Sequence, residues 1–140
     1  MAGIKRTEAD KWFSNYIRAR DNFTCQRCGK KFPKYVEGGD NTALMGLDTA
    51  HCFTRGHSMV RFDPNNAISL CYGCHSYADQ NPEDVLYPLF KSKIGEEAFE
   101  ELMRKKNIPY RGVKKDQKMI SKHFRELFRE MLKQQEETTL

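Results

Sequence analysis

Two Cys-x-x-Cys pairs, Cys25 with Cys28 and Cys71 with Cys74, constrain this chain more than any other feature. Each pair offers two sulfurs from one turn, and tetrahedral Zn²⁺ takes four soft ligands, so a shared ion closes the intervening segment into a loop. The fifth cysteine, Cys52, has no counterpart and reads as a packed apolar residue. A chain of 140 residues of which 31% are charged buries only a modest core, so a metal staple matters to it. Met1 to Arg6 lack the apolar run of a secretory leader, and no stretch approaches the roughly 18 uninterrupted apolar residues of a membrane span. The expectation is a cytoplasmic, non-membrane protein whose reducing surroundings favour metal ligation over disulfides.

Around the two knuckles the chain reads as α+β. Thr7 and Asp10 form a capping box with Asp in place of Glu, and Trp12, Phe13, Tyr16 and Ile17 recur at helical spacing, which predicts a helix over 8–20. Asp21 and Asn22 end it, and Phe23 to Lys31 makes a tight knuckle in which Gly29 lets backbone amides face a sulfur-bound metal. Gly38, Gly39 and Asp40 mark 33–41 as an exposed loop. Leu44 to Phe53 and Ala67 to Cys71 are the two runs able to pair as strands, joined by a polar loop over 54–66. Helices are predicted from His75 to Gln80, from Pro82 through Phe90, over 96–106 and from about Asp116 to Gln135. The stripe Met119, Ile120, Phe124, Leu127, Phe128, Met131, Leu132 on the last reads as core or as a contact face for a second copy or a partner protein. The organisation is an N-terminal helix (1–20), a zinc-stapled hairpin-and-helix core (21–95) and a helical C-terminal region (96–140).

Three of the four histidines gather within or against this core. His51 ends the first strand, His57 lies in the hairpin loop and His75 follows Cys74 directly, whereas His123 occupies a polar position of the last helix. The segment Leu47-Asp-Thr-Ala-His51, followed by Asn66-Ala-Ile-Ser-Leu-Cys71-Tyr-Gly-Cys74-His75, resembles the HNH (ββα-metal, His-Me finger) endonuclease motif. With Ser58, Arg61-Phe62-Asp63 and Asn65-Asn66 it is also similar to the phage NinG (Rap) recombination endonucleases. The resemblance covers about 21–95. It implies that His51 is the general base toward the scissile phosphate, that His75 binds a catalytic Mg²⁺ or Mn²⁺, and that Asn66 crosses the hairpin to hold the His51 loop or to approach the metal. It also implies hydrolysis of a DNA phosphodiester leaving a 5′ phosphate, on branched or duplex DNA, during phage or prophage recombination in the bacterial host cytosol.

One position departs from the pattern. Many HNH enzymes carry Asp or His just before the base as a second metal ligand, and here Ala50 stands there, as a small residue also tends to in NinG-like sequences. Asp48 is the nearest carboxylate, but three residues along a straight strand it points to the face opposite His51, and a bulge is needed to bring it round. His57 and Asp63 are weaker substitutes.

Net charge is +5, from 24 Lys and Arg against 19 Asp and Glu, which suits a polyanion without naming one. Arg55, His57 and Arg61 in the hairpin loop, with Lys30 and Lys34 beside it, are the candidate DNA contacts. The densest basic run is Arg104, Lys105, Lys106, Arg111, Lys114, Lys115 and Lys118, a solvated linker or a phosphate track. A different reading keeps the zinc site and drops catalysis: a nucleic-acid-binding module, or an accessory protein of a phage packaging or recombination complex.

Overall fold

The computed structural model of the chain describes residues 5–109 and 116–139. The architecture is α+β. Helix α1 (Glu8–Arg20) is followed by a 3₁₀ turn (Thr42–Gly46), strand β1 (Leu47–His51), strand β2 (Ala67–Cys71) and helix α2 (Tyr72–Gln80). A wide π-type turn (Pro82–Leu86) leads into α3 (Tyr87–Ile94), then α4 (Glu96–Lys106) and α5 (Gln117–Thr139). The predicted capping box opens α1: Thr7 N–H donates to Asp10 Oδ2 at 2.8 Å and Asp10 N–H donates back to Thr7 Oγ1 at 3.3 Å.

β1 and β2 pair antiparallel without a bulge, from Leu47 opposite Cys71 to His51 opposite Ala67. Leu44 to Gly46, expected to be strand, coil into the 3₁₀ turn instead. The reason is the partner: β2 stops at Cys71, which is already the N-cap residue of α2, so nothing remains for residues 44–46 to bond with. The same direct passage starts α2 at Tyr72 rather than at His75 and puts Cys74 and His75 in its first turns. α3 outlasts its predicted end and runs to Gly95, whose φ of 89° terminates it.

A two-stranded ribbon is marginal alone, and the polar end of α1 stitches this one down. Arg18 Nε donates to the Leu47 carbonyl at 2.9 Å, while Arg20 donates to the carbonyls of Pro64 and Ala67, both at 2.8 Å. Ser69 N–H donates to Asp21 Oδ2 at 2.8 Å, and Gln26 N–H to the Ser69 carbonyl at 2.9 Å. The side chains of Arg18, Arg20 and Asp21, with the Gln26 backbone amide, act as a third strand would, satisfying backbone groups of the hairpin. Asn22 and Phe23 then reverse the chain in left-handed conformation, with φ of 55° and 53°. That geometry costs about 1–2 kcal/mol per residue, and burial of Phe23 to 1% exposure offsets it.

The other long apolar surface is the α1–α5 seam. Phe13 meets Phe124 edge to face at 5.0 Å, Trp12 meets Phe128 at 6.0 Å, and near both C-terminal ends Gln135 Nε2 donates to the Ala19 carbonyl at 2.7 Å. The helices therefore run side by side in the same direction. Phe124 and Phe128 are buried in the seam, with Ile120, Leu127, Met131 and Leu132 packed around them, so the α5 stripe is internal core, and within it Met119 at 68% exposure stays open. No helix among the described residues is long and apolar enough to cross a membrane.

Candidate functional site

The Sγ atoms of Cys25, Cys28, Cys71 and Cys74 lie within 4.8 Å of one another, which positions the four to hold a metal ion. Two of them come from a miniature hairpin in which Thr24 bridges Lys31, Cys25 N–H donates to the Lys30 carbonyl at 2.8 Å, and Gly29 takes φ 81° to close the turn. The other two come from the end of β2 and the first turn of α2. Sulfurs at about 2.3 Å from a tetrahedral ion sit about 3.8 Å apart. Cys28 and Cys71 are 3.8 Å apart.

The electrostatics suit a thiolate cage. Burial opposes ionisation of Cys25, but backbone amides of Cys28, Cys71 and Arg27 aimed at its sulfur prevail and bring its pKa down to about 6. Burial pushes the Cys74 thiol up to about 12; the Arg27 guanidinium, 3.6 Å from its sulfur, pulls the other way, and the three neighbouring sulfurs add to the rise. That mutual repulsion is what a central cation removes. Cys52 stands outside the cage, buried and pushed up to about 12 by that burial, as its packed reading requires.

At the far end of β1 the His51 ring stacks on Phe13 of α1 with centroids 5.8 Å apart. Its Nε2 is shielded from solvent and has no hydrogen-bond partner, and the Thr49 backbone lies beside the ring. In the neutral tautomer protonated at Nδ1, the lone pair falls on Nε2. Burial, then the Arg55 guanidinium, with His75 adding a little against the opposing pull of Asp10, lower the His51 pKa to about 4. The ring is neutral at pH 7. The linkage sign follows: between pH 6.5 and 4 the unfolded chain takes up a proton that the folded one refuses, so stability falls as pH drops through that window. A change of about 3 kcal/mol is expected from this ring. Urea titrations at pH 7 and 4.5 on wild type and His51→Phe check it, the variant losing less on acidification.

Asn66 resolves an alternative left open by the sequence. It is fully buried, its Oδ1 accepts from Phe53 N–H at 2.9 Å, and its Nδ2 donates to the carbonyls of Phe53 at 2.9 Å and Val60 at 3.1 Å. The Asn66 carbonyl also accepts from Cys52 N–H at 2.9 Å. Every polar atom of the carboxamide is engaged with the chain beyond His51, so Asn66 holds that loop. Asn66→Ala strands three buried backbone groups and is expected to cost about 3 kcal/mol or more, read as a lowered urea midpoint.

His75 lies between two carboxylates. Its Nδ1 is 2.9 Å from Asp48 Oδ2 and its Nε2 is 3.1 Å from Asp79 Oδ2, one helical turn further along α2. No bulge brings Asp48 round to the face of His51: strand alternation turns Thr49 and His51 toward α1, as the Thr49 hydroxyl at 3.4 Å from the Ser14 carbonyl attests, and turns Asp48 toward α2, where His75 meets it. Asp79 was not among the sequence candidates. The i,i+4 spacing from His75 on a predicted helix was the signal available for it.

No known family model, curated protein or solved structure matches the chain.

The remaining sequence candidates separate cleanly. Arg61 is turned inward: its Nη2 lies 2.6 Å and its Nε 3.1 Å from the carboxylate of buried Asp10. Arg55 reaches the same carboxylate at 3.4 Å but keeps 31% of its side chain exposed, and its charge is felt at His51. Asp10 was missed in the sequence because a capping residue already has a local role there. His57 sets its ring edge against Phe53, and Lys30 lies over the Phe32 ring. Asp63 caps the turn before β2 and pairs with Lys105 at 2.6 Å. Arg104 pairs with Glu101, and Lys106 lies over the Phe53 ring. Arg111, Lys114 and Lys115 fall outside the described residues.

Proposed function

We propose that this chain is a metal-dependent DNA endonuclease of the HNH type, stapled by a structural zinc ion and acting in phage or prophage DNA recombination on branched or duplex DNA. The observation that carries the reading is His51: a neutral imidazole at a strand end, its Nε2 lone pair unpartnered, with His75, Arg55 and Asp10 near enough to shift its acidity. A general base for phosphodiester hydrolysis has to be unprotonated at working pH and oriented by its other nitrogen. His51 meets both conditions through its Thr49 contact and its burial.

Each neighbouring residue has work in this reading. Asn66 fixes the chain after His51, Arg55 places a cation beside the base where a phosphate oxygen would sit, and His57 lines the same loop. His75 and Asp48 supply one nitrogen and one oxygen, a donor set acceptable to Mg²⁺ or Mn²⁺ completed by water. A bound divalent ion stabilises negative charge on the phosphate and on the leaving oxygen. The sulfur cage, tied to both β2 and α2, keeps His75 in register with the hairpin. Because Nε2 is shielded from solvent, the reading requires a local opening around His51 when DNA binds, admitting the attacking water.

The test is cleavage of supercoiled, linear and four-way-junction DNA with Mg²⁺, Mn²⁺ or EDTA. Divalent-dependent cutting of any of the three is expected. DNA binding with no cutting under every metal condition overturns the nuclease reading in favour of a zinc-stabilised binding module.

A further inference from the structure

Helix α2 leaves two aromatic rings in solvent, Tyr72 at 74% exposure and Tyr77 at 47%, and no other Phe, Tyr or Trp ring among the described residues is exposed. At 3.6 residues per turn the two stand about 140° apart around the helix, and the surface between them belongs to Gly73 and Ser76. Gly73 is exposed, and a Cβ added there would meet nothing within 4 Å. The result is a notch with a floor of small residues and a tyrosine on either side. Tyr72 lies three residues before His75, so its side of the notch adjoins that histidine on the helix surface.

The Tyr77 side is backed by the cysteine knuckle. The Arg27 guanidinium lies over the Tyr77 ring at 4.7 Å and reaches Cys74 Sγ at 3.6 Å, which fixes a cation beside the notch. Arg27 belongs to a run free of acids: between Asp21 and Glu37 stand Arg27, Lys30, Lys31 and Lys34 with no Asp or Glu, and all four are exposed. Four thiolates around a divalent ion leave two negative charges, so these cations outnumber what the cage itself neutralises.

Rings and cations recognise different parts of a nucleic acid. Phosphates satisfy the cations in any form of DNA, whereas a base offers its flat face to a tyrosine only where it has left the duplex stack. Resting on the DNA partner of the reading above and not on cleavage, we propose that the notch between Tyr72 and Tyr77 is a stacking site for unpaired bases of single-stranded DNA, whose backbone runs over the cationic knuckle.

Fluorescence anisotropy of the zinc-loaded full chain tests the site, with a labelled mixed-sequence oligonucleotide presented as a single strand or annealed to its complement, in buffer without Mg²⁺ or chelator. Zinc content and far-UV circular dichroism are measured on every variant, so that lost binding is not confused with lost fold. Tyr72→Ala and Tyr77→Ala are each expected to weaken single-strand binding by about 5–100-fold and to leave duplex binding within about two-fold of wild type. Tyr72→Phe and Tyr77→Phe keep the ring and are expected to bind as wild type does. Joint replacement Lys30→Ala and Lys31→Ala is expected to weaken both forms alike and to flatten the salt dependence. Unchanged single-strand affinity in either tyrosine-to-alanine variant, or equal losses on single strand and duplex, overturns the stacking site while leaving a DNA-binding nuclease standing. Phenylalanine variants as weak as the alanine ones overturn it too, because the hydroxyl and not the ring is then recognised. A wild-type chain that binds neither form of DNA overturns the site and the DNA reading together.

Discussion

Stripping the sulfur cage of its ion is expected to unfold the core of this protein. Structural zinc contributes about 10–16 kcal/mol of apparent binding free energy in small zinc domains, and a domain of this size has only about 5–15 kcal/mol of net stability to lose. The cage joins the knuckle after α1 to the junction of β2 and α2, so its loss releases a ribbon that α1 then holds by a handful of polar contacts. Cys71→Ser and Cys25→Ser are expected to behave like the chelated wild type, with far-UV helicity reduced and amide resonances of β1 and β2 collapsed. Cys52→Ala, outside the cage, is expected to keep one zinc per chain and a cooperative transition. A chelated protein that melts like the metal-loaded one would show the cysteines to be bystanders.

His51→Ala is expected to slow divalent-dependent DNA cleavage by about 10²–10⁴-fold, the usual contribution of a positioned general base. The change removes a ring stacked on Phe13 and its contact with the Thr49 backbone, so far-UV circular dichroism and the urea midpoint of the variant are measured beside its rate. DNA affinity measured in EDTA is expected to stay within a few-fold of wild type, which separates a chemical defect from a binding one. Cleavage by the variant at the wild-type rate would move the base elsewhere. If the wild-type chain binds DNA but never cuts it, there is no rate to lose, and His51 is a core histidine.

Local pattern carried most of the fold into the sequence. The α1 capping box, the helical stripe of α5 and the residues 67–71 as a strand are short-range signals, and each was legible because neighbouring residues satisfy one another. Leu44 to Gly46 were misread because strand formation depends on how far a partner extends, and β2 turns into helix at Cys71. The cysteine cage was legible as spacing, since two close pairs need no knowledge of the path between them. The surroundings of His75 were not, because Asp48 and Asp79 reach it from different elements, and strand alternation gave Asp48's face without saying which helix covers that face. The ion pair of Arg61 was hidden for the same reason: a basic loop residue looks solvent-facing until a carboxylate buried in a distant helix claims it.

The parallel seating of α5 on α1 has a consequence for biosynthesis. During vectorial synthesis Phe13 and Ile17 emerge long before Phe124 and Phe128, the rings that cover them, so the nascent polypeptide leaves the ribosome with an uncovered aromatic ledge. The cage can close once Cys74 is out, but the seam waits until α5 has been made. Translation arrested ahead of Gln117 would yield a chain loaded with metal yet adhesive, a natural client for holdase chaperones and for proteolysis.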